Sequence, residues 1–318
     1  MTIFEKIEYF VRDVFKTSLE MFFEALRLSP NAQGYVSGSI TELLLKQHLE
    51  ANNFEVHRIR EKWEGKKHSN HHGDFYFRKD AKPWFVLESK GVKSNSEKWH
   101  KLYNYDKLLK FLFNHSDKIN WINKNEAIEP QIKEWVDENL PLFLEDYSST
   151  LYNFEEIKKY KMPSRETTKS RAISALQDFN REQIGSMISE RLVYLMSKIK
   201  VLETHFVSGT SGSNERTQAT PRKDEFNLIS IDIFLRFSEH KFLFANPLQL
   251  DSSGADPNHL QQNYIMGFVF TDNEGNEILD LSDEWYDNLE EAYQTLEGNN
   301  SIIEADMQID NRNIITEE

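Results

Sequence analysis

Two short aromatic-rich runs constrain the chain more than any other feature: Gly73-Asp74-Phe75-Tyr76-Phe77, and Trp84-Phe85-Val86-Leu87-Glu88-Ser89-Lys90-Gly91. Between them stands Asp80-Ala81-Lys82-Pro83, whose Asp and Pro carry turn chemistry. Both runs are short, apolar and bounded by charges, so they predict two neighbouring strands, the second buried on both faces. In an antiparallel pair the start of one strand lies beside the end of the other. Asp74 and Glu88 then converge. Side chains alternate along a strand, so Lys90 returns to the side of Glu88 while Ser89 points away.

The rest of the chain gives a context for that pair. Apolar residues at helical spacing from Ile3 to Leu28 predict one long amphipathic helix, stopped at Ser29-Pro30. Asn31–Gly38 is expected to be a loop. Ser39-Ile40-Thr41-Glu42 has the form of a capping box opening a second helix to about Ala51. Phe54–Arg60 alternates as a strand does, Gly73–Arg78 and Trp84–Glu88 are the strands named above, and Ser94–Phe113 is helical. The expected fold class is α/β (α+β): a helix, three strands and a helix in an α/β/α layer.

Asn120–Lys200 reads mainly as helices broken at Pro130, Pro141 and Pro163. Ser208–Lys223 reads as a polar loop. Strands are expected at Leu228–Arg236, Lys241–Ala245 and Asn263–Thr271, and a last helix at Leu281–Leu296. The expected division is 1–120 for the N-terminal helix and core, and 121–318 for a helical and β-rich elaboration. The alternative is that the later elements wrap around the first as one domain.

Charge and composition bound the function. The chain has no cysteine, which excludes disulfides and thiolate metal sites. No secretory leader and no membrane span is visible, so the expectation is a cytoplasmic protein without a membrane partner. The net charge of −14 argues against a nucleic-acid partner until its distribution is considered. From Asp272 to Glu318 there are 15 acidic residues and one arginine, Arg312. Phe54–Lys118 holds 15 Lys and Arg against 9 Asp and Glu. A polyanion would therefore meet a basic region, with the acidity exported to the C-terminus. That acidic stretch is expected either to be solvated or to occupy the basic cleft as a mimic of DNA.

Asp74 and Glu88 supply two carboxylates, which suits Mg²⁺, a hard cation taking oxygen ligands at ~2.1 Å. The Ser89 backbone carbonyl lies between Glu88 and Lys90 and is a further ligand candidate. The Lys90 ammonium can orient a water and stabilise charge on a phosphate. Glu42, 32 residues before Asp74, is a candidate third carboxylate; its competing role is to cap the helix with Ser39. A buried Glu and Lys closing an apolar strand are costly unless paired or metal-bound.

These residues resemble the PD-(D/E)xK nuclease superfamily, and especially its type II restriction endonucleases. The pattern is Glu42 on a helix, then Gly73-Asp74, then Glu88-Ser89-Lys90, over roughly residues 37–115. The resemblance implies an αβββαβ core, metal binding by Asp74 and Glu88, a catalytic Lys90, and an accessory Glu42. It implies Mg²⁺-dependent cleavage of double-stranded DNA, with Mn²⁺ substituting. Gly73 stands where many members carry proline.

For a restriction enzyme the expected partners are a second copy of the chain, because two strands of a palindrome suit a two-fold dimer, and a cognate DNA methyltransferase. The alternatives are a structure-specific or repair nuclease of the same fold, and an inactive DNA-binding protein.

Several segments are candidate DNA contacts. The loop Glu61–Lys67 offers Lys62, Lys66 and Lys67. Lys93, Ser94 and Ser96 open a helix, where phosphate is favoured. Arg165, Lys169 and Arg171 lie in a basic run, and Arg216, Arg222 and Lys223 in or beside the polar loop. Arg pairs with guanine edges, so that loop is a candidate base reader. His68, His71 and His72 offer nitrogen ligands for zinc, but adjacent strand residues point to opposite faces, which sets His71 and His72 apart.

Overall fold

The structure is a computed structural model, and it describes residues 2–60, 72–92, 105–140, 197–206, 220–237, 239–254 and 256–311. It is a mixed α/β protein built around two β-sheets. Helices α1 (Ile3–Phe15), α2 (Leu19–Leu28) and α3 (Pro30–Ala51) come first. Three strands follow: β1 (Glu55–Arg58), β2 (Phe75–Arg78) and β3 (Phe85–Gly91). Next are α4 (Tyr105–Phe113), α5 (Ile128–Asn139), β4 (Ile199–His205), β5 (Leu228–Asp232) and β6 (Phe242–Ala245). The chain continues with β7 (Asn263–Thr271), β8 (Glu277–Leu281) and α6 (Leu289–Gln294).

The larger sheet has the order β1-β2-β3-β5-β6. Its pairs are antiparallel except β3 with β5, which run parallel with Glu88 opposite Ile229 and Lys90 opposite Ile231. The three-stranded sheet, β4-β7-β8, is antiparallel throughout.

Alternation along the strands sorts the apolar side chains into three cores. On one face of the larger sheet, Phe75, Phe77, Leu87, Leu228 and Phe244 pack with Leu45 and Leu49 of α3 and Leu289 of α6. On its other face, Tyr76, Val86, Ile229 and Ile231 share a core with Leu202, Met266 and Val269 of the smaller sheet. Ile199, Val201, Phe268 and Phe270, from the smaller sheet's outer face, pack with Leu108 and Leu112 of α4 and Ile132 and Val136 of α5. The layers therefore run helix, sheet, sheet, helix. The helix expected directly on the second face of the main sheet lies instead beyond an added sheet. β7 shows why: Tyr264, Met266 and Val269 face one core while Ile265, Phe268 and Phe270 face another.

Other expectations also change. The single helix from Ile3 to Leu28 is two. Lys16 ends α1 in the left-handed conformation, φ 53°, and the Ser18 hydroxyl caps α2 by accepting from the Met21 amide. Asn31–Gly38 is helical, not a loop. Ser29 caps α3 and Pro30 is its first residue, a position that proline tolerates because no N–H bond is lost there. Ser39 and Glu42 consequently sit inside α3 and form no cap. β4 begins at the end of the expected helical region and lies mostly in 201–205, for which no element was expected. Leu228–Arg236 is a strand only to Asp232 and then makes one helical turn at Phe234–Phe237. Leu281–Leu296 divides into the end of β8 and, after the Asn288 cap, α6.

The described part of the acidic C-terminal stretch belongs to the fold. It supplies β8 and α6. Beyond these, the Arg60 amide donates to the Gln308 carbonyl (2.7 Å), and the Asp310 amide to the Arg58 carbonyl (2.8 Å). This segment covers the free edge of β1, as an exposed strand edge requires. No helix among the described residues is long and apolar enough to cross a membrane.

Candidate functional site

The site is assembled by the β2–β3 register. Phe75 is opposite Leu87, so Asp74, one residue earlier, falls beside Glu88. The Asp74 amide donates to the Leu87 carbonyl (2.9 Å), and the Ser89 amide donates to Asp74 Oδ2 (2.7 Å). These bonds fix the aspartate against the end of β3. Glu88 and Lys90 form an ion pair, with side chains 15% and 30% exposed. Lys90 is thus held among carboxylates yet reachable from solvent.

Gly73 makes this approach feasible. Its φ is 145°, and a Cβ there would lie 2.3 Å from Val86 Cγ1 and 3.1 Å from the Leu87 carbonyl oxygen. Neither proline, with φ locked near −65°, nor any L side chain fits. The backbone at this position therefore demands glycine.

The electrostatics bind four residues into one cluster. Burial, followed by the neighbouring Glu88 charge, pushes the Asp74 carboxyl well above the usual carboxylate range; Glu42 pushes the same way, while Lys90 and the Ser89 amide oppose it. Burial pulls the Lys90 ammonium down, but Glu88, Asp74 and Glu42 together outweigh it and hold it above the ordinary lysine value. Glu42 acts on the cluster by its field. It also pairs with Arg58 Nη2, at 2.6 Å.

The placement of α3 depends on residues that sequence reading missed. Thr41, next to Glu42, donates its hydroxyl to Asp232 Oδ2 (2.7 Å) at the end of β5. Asp232 is buried, accepts from the Phe234 amide (3.0 Å) and pairs with His240 Nδ1 (2.6 Å). His240 stacks on Phe234, with ring centroids 4.4 Å apart. Thr41 thus ties α3 to β5 while Glu42 ties it to β1, on either side of β2 and β3. Thr41 and Asp232 are separated by 191 residues, so no local pattern could have paired them. The only available signal was a lone acidic residue ending an apolar strand.

The donor set suits a hard divalent cation. Asp74, Glu88 and the Ser89 carbonyl offer oxygen ligands, and the raised Asp74 carboxyl reflects burial first and then the neighbouring Glu88 charge, the second of which a cation would offset. Among the described residues no group of three or more His, Cys, Asp or Glu could hold a metal ion. Mg²⁺ needs only one or two carboxylates, with water and phosphate completing its shell. Glu42 pairs with Arg58 and adds its charge to the field at Asp74 and Lys90.

Of the candidate DNA contacts, Arg222 and Lys223 lie among the described residues. Arg222 pairs with Asp224 (2.8 Å), and the Lys223 ammonium donates to the Leu250 carbonyl. Lys62, Lys66, Lys67, Lys93, Ser94, Ser96, Arg165, Lys169, Arg171 and Arg216 lie outside the described residues, as do His68 and His71. No family model, curated protein or solved structure matches the chain.

Proposed function

We propose that the chain is a Mg²⁺-dependent endodeoxyribonuclease of the restriction type, cleaving both strands of DNA at a short specific sequence. The observation that carries this reading is the meeting of Asp74, Glu88 and Lys90 at adjoining ends of β2 and β3. The order α3, β1, β2, β3 and, after α4, α5 and β4, a β5 parallel to β3 is compatible with the αβββαβ core that the resemblance implies, with α4 packed on the smaller sheet.

Asp74, Glu88 and the Ser89 carbonyl would hold the cation. When bound, it supplies a Lewis acid for the scissile phosphate. Lys90 orients the attacking water through its ammonium and stabilises the negative charge that builds on the phosphoryl oxygens. Glu42 contributes a nearby negative charge, kept in place by Arg58. The raised Asp74 carboxyl must give up its proton before it can bind a cation, which couples cleavage to pH. A restriction enzyme needs its own genome protected, so a DNA methyltransferase of the same specificity is the implied partner.

Digestion of phage DNA with Mg²⁺, followed by sequencing of the ends, tests the proposal. Discrete fragments with one shared end sequence support it. Cleavage confined to branched or mismatched DNA would move the reading to a structure-specific or repair nuclease. Tight DNA binding without cleavage, in either Mg²⁺ or Mn²⁺, would make the protein a binding module.

A further inference from the structure

The apolar side of α1 faces solvent. Helical spacing gathers Ile3, Phe4, Ile7, Phe10, Val14 and Phe15 around Val11. Those six are 51, 61, 40, 51, 55 and 51% exposed; Val11 alone in α1 is buried. α2 has no buried residue at all, and its Met21 and Leu28 are 62 and 68% exposed. The hairpin of α1 and α2 leans on the first half of α3, where Gln33 Nε2 donates to the Leu26 and Arg27 carbonyls (both 3.0 Å). Only the second half of α3 enters the core, through Leu45 and Leu49.

A hairpin like this does not hold itself together. α1 has 13 residues and α2 has 10, and isolated helices below ~12–15 residues are marginal in water. Six half-exposed apolar side chains of ~200 Å² each present on the order of 600 Å² on α1 alone. That equals the largest patch expected on a monomer, ~300–600 Å². With α2 and the exposed Tyr35 of α3 added, it approaches the ~800 Å² per partner of a standard interface.

The charges say what covers it. Each helix has an acidic first turn and a basic last turn: Glu5 and Arg12 on α1, Glu20 and Arg27 on α2. An antiparallel pairing across a two-fold axis sets the acidic end of a helix beside the basic end of its copy. An anionic membrane wants a polar face rich in Lys and Arg. Residues 3–28 instead carry five acidic and four basic side chains.

We propose that the α1–α2 hairpin, with the first half of α3, is the surface through which the chain pairs with a second copy of itself, forming a six-helix contact. The inference stands on the exposed face, so a failure of the nuclease chemistry would leave it untouched.

Sedimentation of the full-length chain tests it. The wild type should sediment as a dimer at micromolar concentration. Ile7→Glu with Phe10→Glu should weaken self-association by about 100-fold or more, with an unchanged circular dichroism spectrum. Independently, Phe10→Cys in this cysteine-free chain should give a disulfide-linked dimer on oxidation, since Phe10 lies near the middle of α1. A monomeric wild type overturns the proposal, whether or not it co-sediments with phosphatidylserine vesicles. A dimer that survives the double substitution and leaves Phe10→Cys uncrosslinked overturns it too.

Discussion

The Ser89 amide donates to the Asp74 carboxylate across 2.7 Å, joining the residue that opens β2 to the residue between Glu88 and Lys90. Through this bond the backbone of β3, not a flexible side chain, sets where the half-buried aspartate sits. The same bond supplies only part of what a buried anion needs, because burial and Glu88 still push the Asp74 carboxyl upward. An ionised Asp74 should therefore cost the cation-free protein stability.

Asp74→Asn should for that reason raise stability while abolishing cleavage. A carboxyl whose folded pKa is raised stabilises the fold below its unfolded pKa, and that contribution is lost as pH rises through the folded value. At alkaline pH the wild type should melt about 2–4 °C below the Asp74→Asn protein, roughly the effect of 1 kcal/mol in a chain of this size. Mg²⁺ should close the gap by stabilising the wild type alone. Calorimetry across pH checks this; a variant less stable at every pH would contradict it.

Cleavage should rise with pH as Asp74 loses its proton. Glu88, Lys90 and Glu42 all face that titration, so the profile belongs to the cluster and not to one group. A rate independent of pH from weakly acid to alkaline conditions, with chemistry rate-limiting, would separate Asp74 from the reaction.

Gly73→Ala should destabilise the protein and displace Asp74. The added Cβ meets Val86 and the Leu87 carbonyl, and φ of 145° is strained for alanine. A loss of about 1–3 kcal/mol in urea unfolding is expected. Wild-type stability in that variant would mean that β2 enters the sheet differently.

Thr41→Val keeps the shape of the side chain but removes the hydroxyl that donates to buried Asp232. Leaving a buried acceptor short of a partner costs about 1–3 kcal/mol. Because Thr41 precedes Glu42, cleavage should fall as well. Arg58→Met should lower cleavage with a smaller loss of stability, because its pair with Glu42 is partly exposed.

The sequence made β2, β3 and their charged ends readable because short apolar runs flanked by turn residues leave few alternatives. β7 was readable over its full length for the same reason. Helix boundaries were less so. The apolar period runs unbroken through Lys16, a non-glycine residue in the left-handed region, and Pro30 stops a helix and starts one equally well. β4 escaped because a register shift between Leu202 and Glu203 breaks its alternation. Partners far apart in the chain, such as Thr41 with Asp232 and Glu42 with Arg58, leave no periodic trace.

The central claim is that Asp74, Glu88 and Lys90 act together on a phosphodiester. Its most direct test compares wild type with Lys90→Ala: cleavage of phage DNA in Mg²⁺, and DNA binding in Ca²⁺. The account predicts discrete fragments from the wild type, about a thousandfold slower cleavage or none from the variant, and similar binding by both. Undiminished cleavage by Lys90→Ala, or an inert wild type in both Mg²⁺ and Mn²⁺, would contradict it.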